Sequence, residues 1–207
     1  MLLENMTNHE YRNAMFLYSC ALKSIITKLE TINEEFALTT KKNPIESIKG
    51  RLKSVHSIAA KLKRRGYEPT FENALAFLDD LAGARVICSF VPDIYKIAEI
   101  ITAHSDITVL RVKDYIKNAK PNGYRSYHML LEIPVCLSTE IKPTKVELQI
   151  RTIAMDFWAT LEHKIRYKFE KSVPDSLNND LLECANIVAA LDTKMYDLNK
   201  QIETYTQ

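Results

Sequence analysis

Two acidic side chains occur where a divalent metal ion could be held. Asp80 follows Asp79 directly before the apolar segment LAGARVICSF, and Glu147 lies in VELQIRT, where Gln149 and Arg151 share its side of an alternating pattern. A carboxylate at the edge of a strand is a common ligand of Mg²⁺. Either acid alone could simply cap a turn or lie on a solvated strand face. Two separated acids combined with a cationic stretch, however, are typical of metal-assisted phosphoryl transfer.

The cationic stretch lies between Lys41 and Gly66, where nine lysines and arginines stand against a single acid, Glu46. Helical spacing would put three cations and a hydroxyl on one face, a cationic row made of Lys53, Ser57, Lys61 and Arg64. Such a row could track a polyphosphate, with arginine suited to bidentate contacts. Arg51 lies at its edge. A solvated helix face is the alternative reading of the same charges, and it stays open at this point.

A third segment, RVKDYIKNAKPNGYRSYH, mixes cations with aromatic rings. Its members are Arg111, Lys113, Lys117, Lys120, Arg125 and His128, interleaved with Tyr115, Tyr124 and Tyr127. This mixture suits a nucleotide, because a ring can stack on the base while cations meet the phosphates. A basic hairpin loop is the alternative. The chain contains no GxxxxGK[ST], GxSxG or HExxH motif, which argues against a P-loop enzyme, a serine hydrolase and a zinc protease.

Composition limits the class of protein. The chain has 207 residues, 46% of them hydrophobic, and a formal net charge of +2, so a local basic patch points to a bounded anionic ligand more than to a long nucleic acid. No apolar run is long enough to span a bilayer and no secretory signal is recognisable, so we expect a cytoplasmic protein without a membrane partner. Four cysteines lie far apart without a CxxC pair (Cys20, Cys88, Cys136 and Cys184), which fits a reducing compartment.

The elements that position these residues follow from hydrophobic periodicity. We predict long helices over 11–38 and from 174 to about 202, and a helix over 43–66 that begins at Asn43 as N-cap, with Pro44 in its first turn. The middle of the chain alternates between strands (84–90, 107–113, 124–133 and 145–151) and helices (92–104 and 152–169). The apolar seams of the two terminal helices could pack together, onto the sheet, or across a subunit interface.

Four segments, taken together and in this order, resemble the synthetase domain of the RelA/SpoT family, specifically a small alarmone synthetase. They are GRLKSVHSIAAKLKRRG, DDLAGARVICSFVPDIY, RVKDYIKNAKPNGYRSYH and VELQIRTIAMDFWATLEHKIRYK, and they span roughly 44–168. The resemblance implies an α/β (α+β) fold, with a nucleotidyltransferase-like mixed sheet flanked by helices. It also implies transfer of pyrophosphate from ATP to the 3′-hydroxyl of GDP or GTP, which yields ppGpp or pppGpp and AMP.

The resemblance implies a role for each matching residue. Arg51 and Arg85 would sandwich the adenine, and the cationic row of Lys53, Ser57, Lys61 and Arg64 would hold the ATP phosphates. Asp80 and Glu147 would bind Mg²⁺, and Glu147 would also be the base that acts on the 3′-hydroxyl. Tyr124 would stack on guanine, and Lys113, Lys120, His128 and Gln149 would line the acceptor side. His163 belongs to a matching motif without an assigned role.

The resemblance also implies an organisation of the chain. We expect an N-terminal helix over 1–42, the synthetase domain over 43–170, and a C-terminal helix over 171–207 that serves oligomerisation, since small members of the family are commonly homotetramers. No His-Asp dipeptide occurs, so we expect synthesis without hydrolysis.

Three alternatives remain open at this point. A toxin-like relative would transfer pyrophosphate to the 3′ end of tRNA, and adenosine could replace guanosine as the acceptor. A catalytically silent module would only bind nucleotide or RNA. An RNA contact is likewise left open for the synthetase itself.

Overall fold

The structure is a computed structural model that describes residues 9–40, 43–167 and 174–205. Two predicted domain boundaries, at 42/43 and 170/171, lie at or beyond the edges of these ranges. The last two residues of the helix predicted over 152–169 lie outside them. The elements in chain order are α1 (His9–Thr40), β1 (Ile45–Leu52), α2 (Val55–Arg64), α3 (Phe71–Phe77), β2 (Ala82–Cys88), α4 (Val91–Ala103), β3 (Thr108–Asp114), β4 (Tyr127–Cys136), β5 (Ile141–Thr152), α5 (Ile153–Tyr167) and α6 (Asp175–Tyr205).

The five strands form one mixed sheet in the order β1-β2-β5-β4-β3. Only the central pair, β2 and β5, is parallel; the other three pairs are antiparallel. The predicted mixed sheet flanked by helices is therefore confirmed. The parallel pair joins strands far apart in the sequence, because the chain leaves β2 through α4 and the β3–β4 hairpin before it returns as β5.

One face of the sheet is the apolar core, and α1 and α4 cover it. Side chains alternate along each strand, so every second residue faces this side. The fully buried members come from both helices and from three strands: Ile25 and Leu29 of α1, Ile94 and Ile101 of α4, Val86 of β2, Leu131 of β4 and Leu148 of β5. The opposite face of β5 carries Glu147, Gln149 and Arg151, as the alternation predicts.

The single helix predicted over 43–66 is wrong. Its first half is the edge strand β1, which pairs with β2, and only its second half is the helix α2. The true N-cap is Ser54, whose hydroxyl accepts a hydrogen bond from the backbone N–H of Ser57 at 3.3 Å. Lys53 therefore precedes the helix, and the cationic row is continuous only from Ser57 onward.

A bulge explains the misleading pattern. Ile45 and Ile48 are three residues apart, which is helical spacing, yet both pack against the core. The register of β1 on β2 shifts between Ile45 and Ser47, so one extra residue puts the two isoleucines on the same face of a strand. Further along, a Cβ on Gly50 would come within 2.5 Å of the Ile26 side chain, which shows how closely β1 lies on α1.

Two smaller differences bear on the site. The strand predicted over 124–133 begins at Tyr127, which leaves Tyr124 in the loop between β3 and β4. The short helix α3 was not predicted; its N-cap is Thr70, which accepts a hydrogen bond from the N–H of Asn73 at 3.2 Å.

The two terminal helices pack differently. α1 lies on the sheet, whereas α6 packs against α5, where the indole N–H of Trp158 donates to the carbonyl of Leu181 at 3.0 Å. Beyond this contact five apolar residues of α6 lie at the surface, between 40% and 60% exposed: Ile187, Leu191, Met195, Leu198 and Ile202. Among the described helices, none combines the length and apolar character needed to cross a membrane.

Candidate active site

The face of the sheet opposite the core collects the predicted functional residues from all five strands. Cross-strand partners share a face, and the register pairs Lys49 of β1 with Arg85 of β2, which in turn pairs with Gln149 of β5. Gln149 also pairs with His128 of β4, and His128 pairs with Lys113 of β3. Residues that lie far apart in the sequence thus form one polar surface, called the site face below.

On one side of the site face, Asp80 is held by two lysines. Its Oδ2 lies 2.9 Å from Lys53 Nζ and 2.7 Å from Lys61 Nζ. Burial raises the pKa of Asp80, but the hydrogen bonds from Lys61 and Lys53 outweigh burial and bring the pKa below its usual value. Asp80 is therefore ionised at neutral pH.

Glu147 lies across the parallel strand pair, opposite Gly83. Its two oxygens are held separately: His128 Nδ1 lies 3.4 Å from Oε1, and Gln149 Nε2 donates to Oε2 at 2.8 Å. Burial raises the pKa of Glu147, yet the contacts with His128 and Gln149 outweigh it and lower the pKa. Glu147 is thus a carboxylate with both oxygens oriented.

The two carboxylates suit a hard cation. They line the same cavity, with Gly83 and Arg85 between them, and the second oxygen of Asp80 is buried without a hydrogen-bond partner in the described part of the chain. Within the same part, no group of three or more His, Cys, Asp or Glu side chains could hold a metal. A two-carboxylate set matches Mg²⁺, which usually takes its other ligands from substrate phosphates and water.

The remaining predicted donor-side residues lie around this cavity. Arg51 and Arg85 line it from β1 and β2, and both also border a second cavity formed with Tyr124 and α5. Burial, next to Arg151, lowers the pKa of Arg85, and its Nε has no partner among the described residues. Ser57 is in the first turn of α2, and Arg64 lies in its last turn with an exposed side chain.

On the other side, five side chains close a ring of hydrogen bonds, called the polar ring below. From Glu147 the ring runs through Gln149 to Arg151, whose guanidinium donates to Gln149 Oε1 at 3.1 Å and to the Tyr124 hydroxyl at 2.5 Å. The Tyr124 hydroxyl lies 2.8 Å from His128 Nε2, and His128 Nδ1 leads back to Glu147. The ring links Tyr124 through His128 to the carboxylate of Glu147.

Donor and acceptor rules limit the direction of these bonds. Arginine has no acceptor, so the Tyr124 oxygen accepts from Arg151. In the neutral tautomer with its proton on Nδ1, His128 donates to Glu147 and accepts from the Tyr124 hydroxyl at Nε2. The polar ring thus presents Tyr124 and Glu147 in fixed orientations.

Cations flank the polar ring. The Nζ of Lys120 lies 4.6 Å from the centroid of the Tyr124 ring and 4.7 Å from that of Tyr115. Lys113 lines a cavity together with Lys120, His128 and Glu147. The five residues predicted for the acceptor side are therefore brought together around Glu147: Lys113, Lys120, Tyr124, His128 and Gln149.

The loop that carries Tyr124 is seated on the C-terminal helices. Gly123 has φ +85° and packs so closely on α6 that a Cβ there would collide with Ala185. The Arg125 guanidinium donates to the carbonyl of Ala185 at 3.4 Å, and Asn122 donates to Glu162 of α5 at 3.1 Å. The position of Tyr124 therefore depends on α5 and α6.

Two residues of the site were not predicted. Arg151 lies on the polar side of the same alternation as Glu147 and Gln149, so the pattern did contain a signal for it. Asp156 lies in the first turn of α5, where its Oδ1 accepts from Arg85 at 3.3 Å and from Arg151 at 3.2 Å. Nothing in the local sequence marks Asp156, because Arg85 is 71 positions away. His163 borders the cavity between Arg51 and α5.

Comparison with known proteins agrees with this geometry. A family model described as "Region found in RelA / SpoT proteins" matches residues 50–172. The chain is 45% identical to the GTP pyrophosphokinase YwaC of Bacillus subtilis over 94% of this chain and 92% of that protein. The crystal structure of small alarmone synthetase 2 from Bacillus subtilis superimposes with a TM-score of 0.81 at 45% identity, covering 92% of this chain and 99% of the other.

A second solved structure, small alarmone synthetase 1 from Bacillus subtilis bound to its product pppGpp, gives a TM-score of 0.85 at 32% identity and covers 94% of this chain and 99% of that one. Both structural neighbours thus match nearly end to end. The predicted resemblance is confirmed, and the chain belongs to the RelA/SpoT family.

Proposed function

We propose that this protein is a (p)ppGpp synthetase, a GTP/GDP pyrophosphokinase that transfers pyrophosphate from ATP to the 3′-hydroxyl of GDP or GTP and releases AMP. The observation that carries the proposal is the polar ring, which orients Glu147 and Tyr124 and places Glu147 in the same cavity as the lysine-bound carboxylate of Asp80. The relatives named GTP pyrophosphokinase support the same reaction.

The reaction needs the attacking oxygen, the phosphorus atom and the leaving oxygen in line, with a base beside the attacking hydroxyl. The 3′-oxygen of the acceptor forms a bond with the β-phosphorus of ATP, the bond from that phosphorus to the α,β-bridging oxygen breaks, and AMP leaves. Glu147 accepts the proton of the hydroxyl. A carboxylate kept ionised and oriented by His128 and Gln149 is suited to this role, since positioning supplies much of the catalysis in such transfers.

On the donor side, the chain supplies positive charge for the triphosphate. Lys53 and Lys61, both already beside the site through Asp80, would contact the phosphates together with Ser57 and Arg64. Arg51 and Arg85 would hold the adenine between their guanidinium planes. Mg²⁺ held by Asp80 and Glu147 would neutralise charge that develops on the transferred group.

On the acceptor side, the ring of Tyr124 would stack on guanine, and Lys113, Lys120 and His128 would border the ribose and its phosphates. Tyr124 reaches this place because Gly123 and Arg125 seat its loop on α6. We also infer a cytoplasmic location, since both substrates are cytoplasmic nucleotides.

We further infer that the protein is a homo-oligomer, as a tetramer, assembled through α6. The exposed apolar row of that helix, from Ile187 to Ile202, is distinct from the buried residues Leu181 and Ala185, which pack with Trp158 of α5. Exposed apolar residues at helical spacing fit a second copy of the same helix. Light scattering should give a tetramer at micromolar concentration and a smaller species for Leu191→Asp. A monomeric wild-type protein would contradict this inference.

The transfer itself is tested with purified protein, Mg²⁺ and ATP labelled at the γ-phosphate, offered separately GDP, GTP, ATP and deacylated tRNA. Label in ppGpp or pppGpp supports the proposal, and the ratio of the two products gives the acceptor preference. Label on tRNA alone would assign the protein to the toxin-like alternative. Label on an adenosine acceptor alone would change the substrate class. Nucleotide binding without any transfer would indicate a silent binding module.

A further inference from the structure

Asp156 joins the two halves of the site. We propose that Asp156 is a positioning residue through which donor and acceptor binding are coupled, so that each nucleotide strengthens the binding of the other. This inference rests on the proposed function, since it assumes that ATP lies at Arg85 and the guanine nucleotide at Tyr124.

The donor end of the link has few contacts. The side chain of Arg85 is 36% exposed, and its only hydrogen bond to a side chain in the described part of the chain goes to Asp156 Oδ1 at 3.3 Å. Arg51 and Arg151 lie close enough to repel Arg85, whereas Asp156 attracts it. Asp156 is therefore the counter-ion in a cluster of three guanidinium groups.

The acceptor end is fixed. The side chain of Arg151 is 6% exposed and donates to Asp156, Gln149, Ser126 and Tyr124 at once. Its guanidinium carbon also lies 5.0 Å from the centroid of the Tyr124 ring. A shift of Arg151 would therefore move the hydroxyl and the ring plane of Tyr124 together.

Coupling follows because one carboxylate oxygen of Asp156 accepts hydrogen bonds from both arginines. An adenine stacked on Arg85 restricts that guanidinium, and the shared oxygen then restricts Arg151. Because Arg151 donates to Tyr124, the stacking face of Tyr124 is restricted as well. Binding of the first nucleotide orders these side chains, so the second nucleotide binds without a further loss of their conformational entropy. Linkage requires the effect to be reciprocal: the acceptor must tighten the donor by the same factor.

The test measures binding without turnover in the full chain with Mg²⁺. α,β-Methylene-ATP serves as donor because its α,β-bridge cannot be cleaved, and GDP serves as acceptor; calorimetry gives the Kd of GDP with and without a saturating amount of the analogue. For the wild type we expect at least about a fivefold tightening of GDP, the lower end of typical coupling between sites. The reverse titration must give the same factor.

In Asp156→Asn, the ATP analogue should tighten GDP binding by less than about twofold, although both nucleotides still bind. The reason is that a neutral amide cannot balance the charge of two guanidinium groups. Asp156→Glu, which keeps the charge, should retain part of the coupling and serves if the asparagine variant fails to fold. Glu140→Gln is the matched control: it neutralises an exposed acid that forms an ion pair with Lys142, away from the site, and it should keep the wild-type factor.

A factor of one in the wild type, or an unchanged factor in Asp156→Asn, would overturn the inference while leaving the proposed function intact. Failure of the wild type to bind GDP and the analogue would instead contradict the proposed function itself.

Discussion

The proposed donor and acceptor sides of the site hold their side chains in different ways. On the proposed donor side, cations outnumber their partners: Lys53 and Lys61 share one oxygen of Asp80, and within the described residues Arg85 forms an ion pair with Asp156 alone. On the acceptor side, the polar ring satisfies every member, and its arginine is almost fully buried. One side is a set of charges with few constraints, and the other is a closed network.

The difference indicates how each side recognises its substrate. Crowded cations repel one another until a polyanion arrives, so donor binding should draw on charge and fall with salt. A preformed network needs little reorganisation when a flat base stacks on Tyr124, so acceptor binding should depend on shape and on single hydrogen bonds. The four predictions below are ordered from the largest expected effect to the smallest; the first three test this contrast, and the fourth tests a contact outside it.

Glu147→Gln should have the largest effect, because it removes the proposed base while keeping the size of the side chain. We expect kcat to fall by about 10²- to 10⁴-fold, the usual contribution of a general base. Calorimetry should show that GDP still binds, since Tyr124 is retained. Glu140→Gln is the control for a neutralised acid elsewhere. Transfer within tenfold of the wild type would show that Glu147 is not the base.

Tyr124→Ala should raise the KM for the guanine nucleotide by about 5- to 150-fold, the range expected for loss of one base-stacking contact. The KM for ATP should change much less. Tyr124→Phe keeps the ring but removes the hydroxyl bonded to Arg151 and His128, so it separates stacking from the polar ring. Equal increases in both KM values for Tyr124→Ala would break the contrast between the two sides.

Lys61→Ala should raise the KM for ATP by about 5- to 20-fold, because a charged contact to the phosphates is lost. Lys63→Ala, on the exposed side of the same helix, is the matched control. In the wild type, the KM for ATP should rise with salt more steeply than the KM for GDP. An equal salt dependence for the two nucleotides would contradict the electrostatic reading of the donor side.

Asp192→Asn should have the smallest effect and should act on stability alone. Asp192 of α6 is buried beside Thr152, whose hydroxyl donates to it at 2.6 Å, and burial raises the pKa of Asp192 above its usual value. The folded protein therefore binds this proton more tightly than the unfolded chain, so the contribution of Asp192 to stability falls as pH rises through its folded pKa and stays low at pH 7.

Removing the charge of Asp192 should thus raise Tm at pH 7 by a few degrees, about 2–4 °C per kcal/mol for a chain of this length, and less at acidic pH. Asp197→Asn, exposed on the same helix, should leave Tm unchanged. A lower Tm at pH 7 for Asp192→Asn, or an altered KM for either nucleotide, would contradict this account.

Residue spacing within short segments was enough to predict the polar face of β5 and the acids that precede β2. The alternation of β5 placed Glu147 and Gln149 on a polar face, and the acids before β2 led to Asp80. The edge strand β1 was missed because a bulge at Ile45 gives a strand helical spacing. Asp156 was missed because its role depends on Arg85, and only the parallel pairing of β2 and β5 brings the two together.

The most direct test is a crystal structure of Glu147→Gln with α,β-methylene-ATP, GDP and Mg²⁺ bound together. The account predicts guanine stacked on Tyr124, adenine between Arg51 and Arg85, and the 3′-oxygen of GDP within hydrogen-bond distance of the side chain at 147 and in line with the β-phosphorus. A guanine nucleotide at Arg51 and Arg85, or a 3′-oxygen directed away from residue 147, would contradict it.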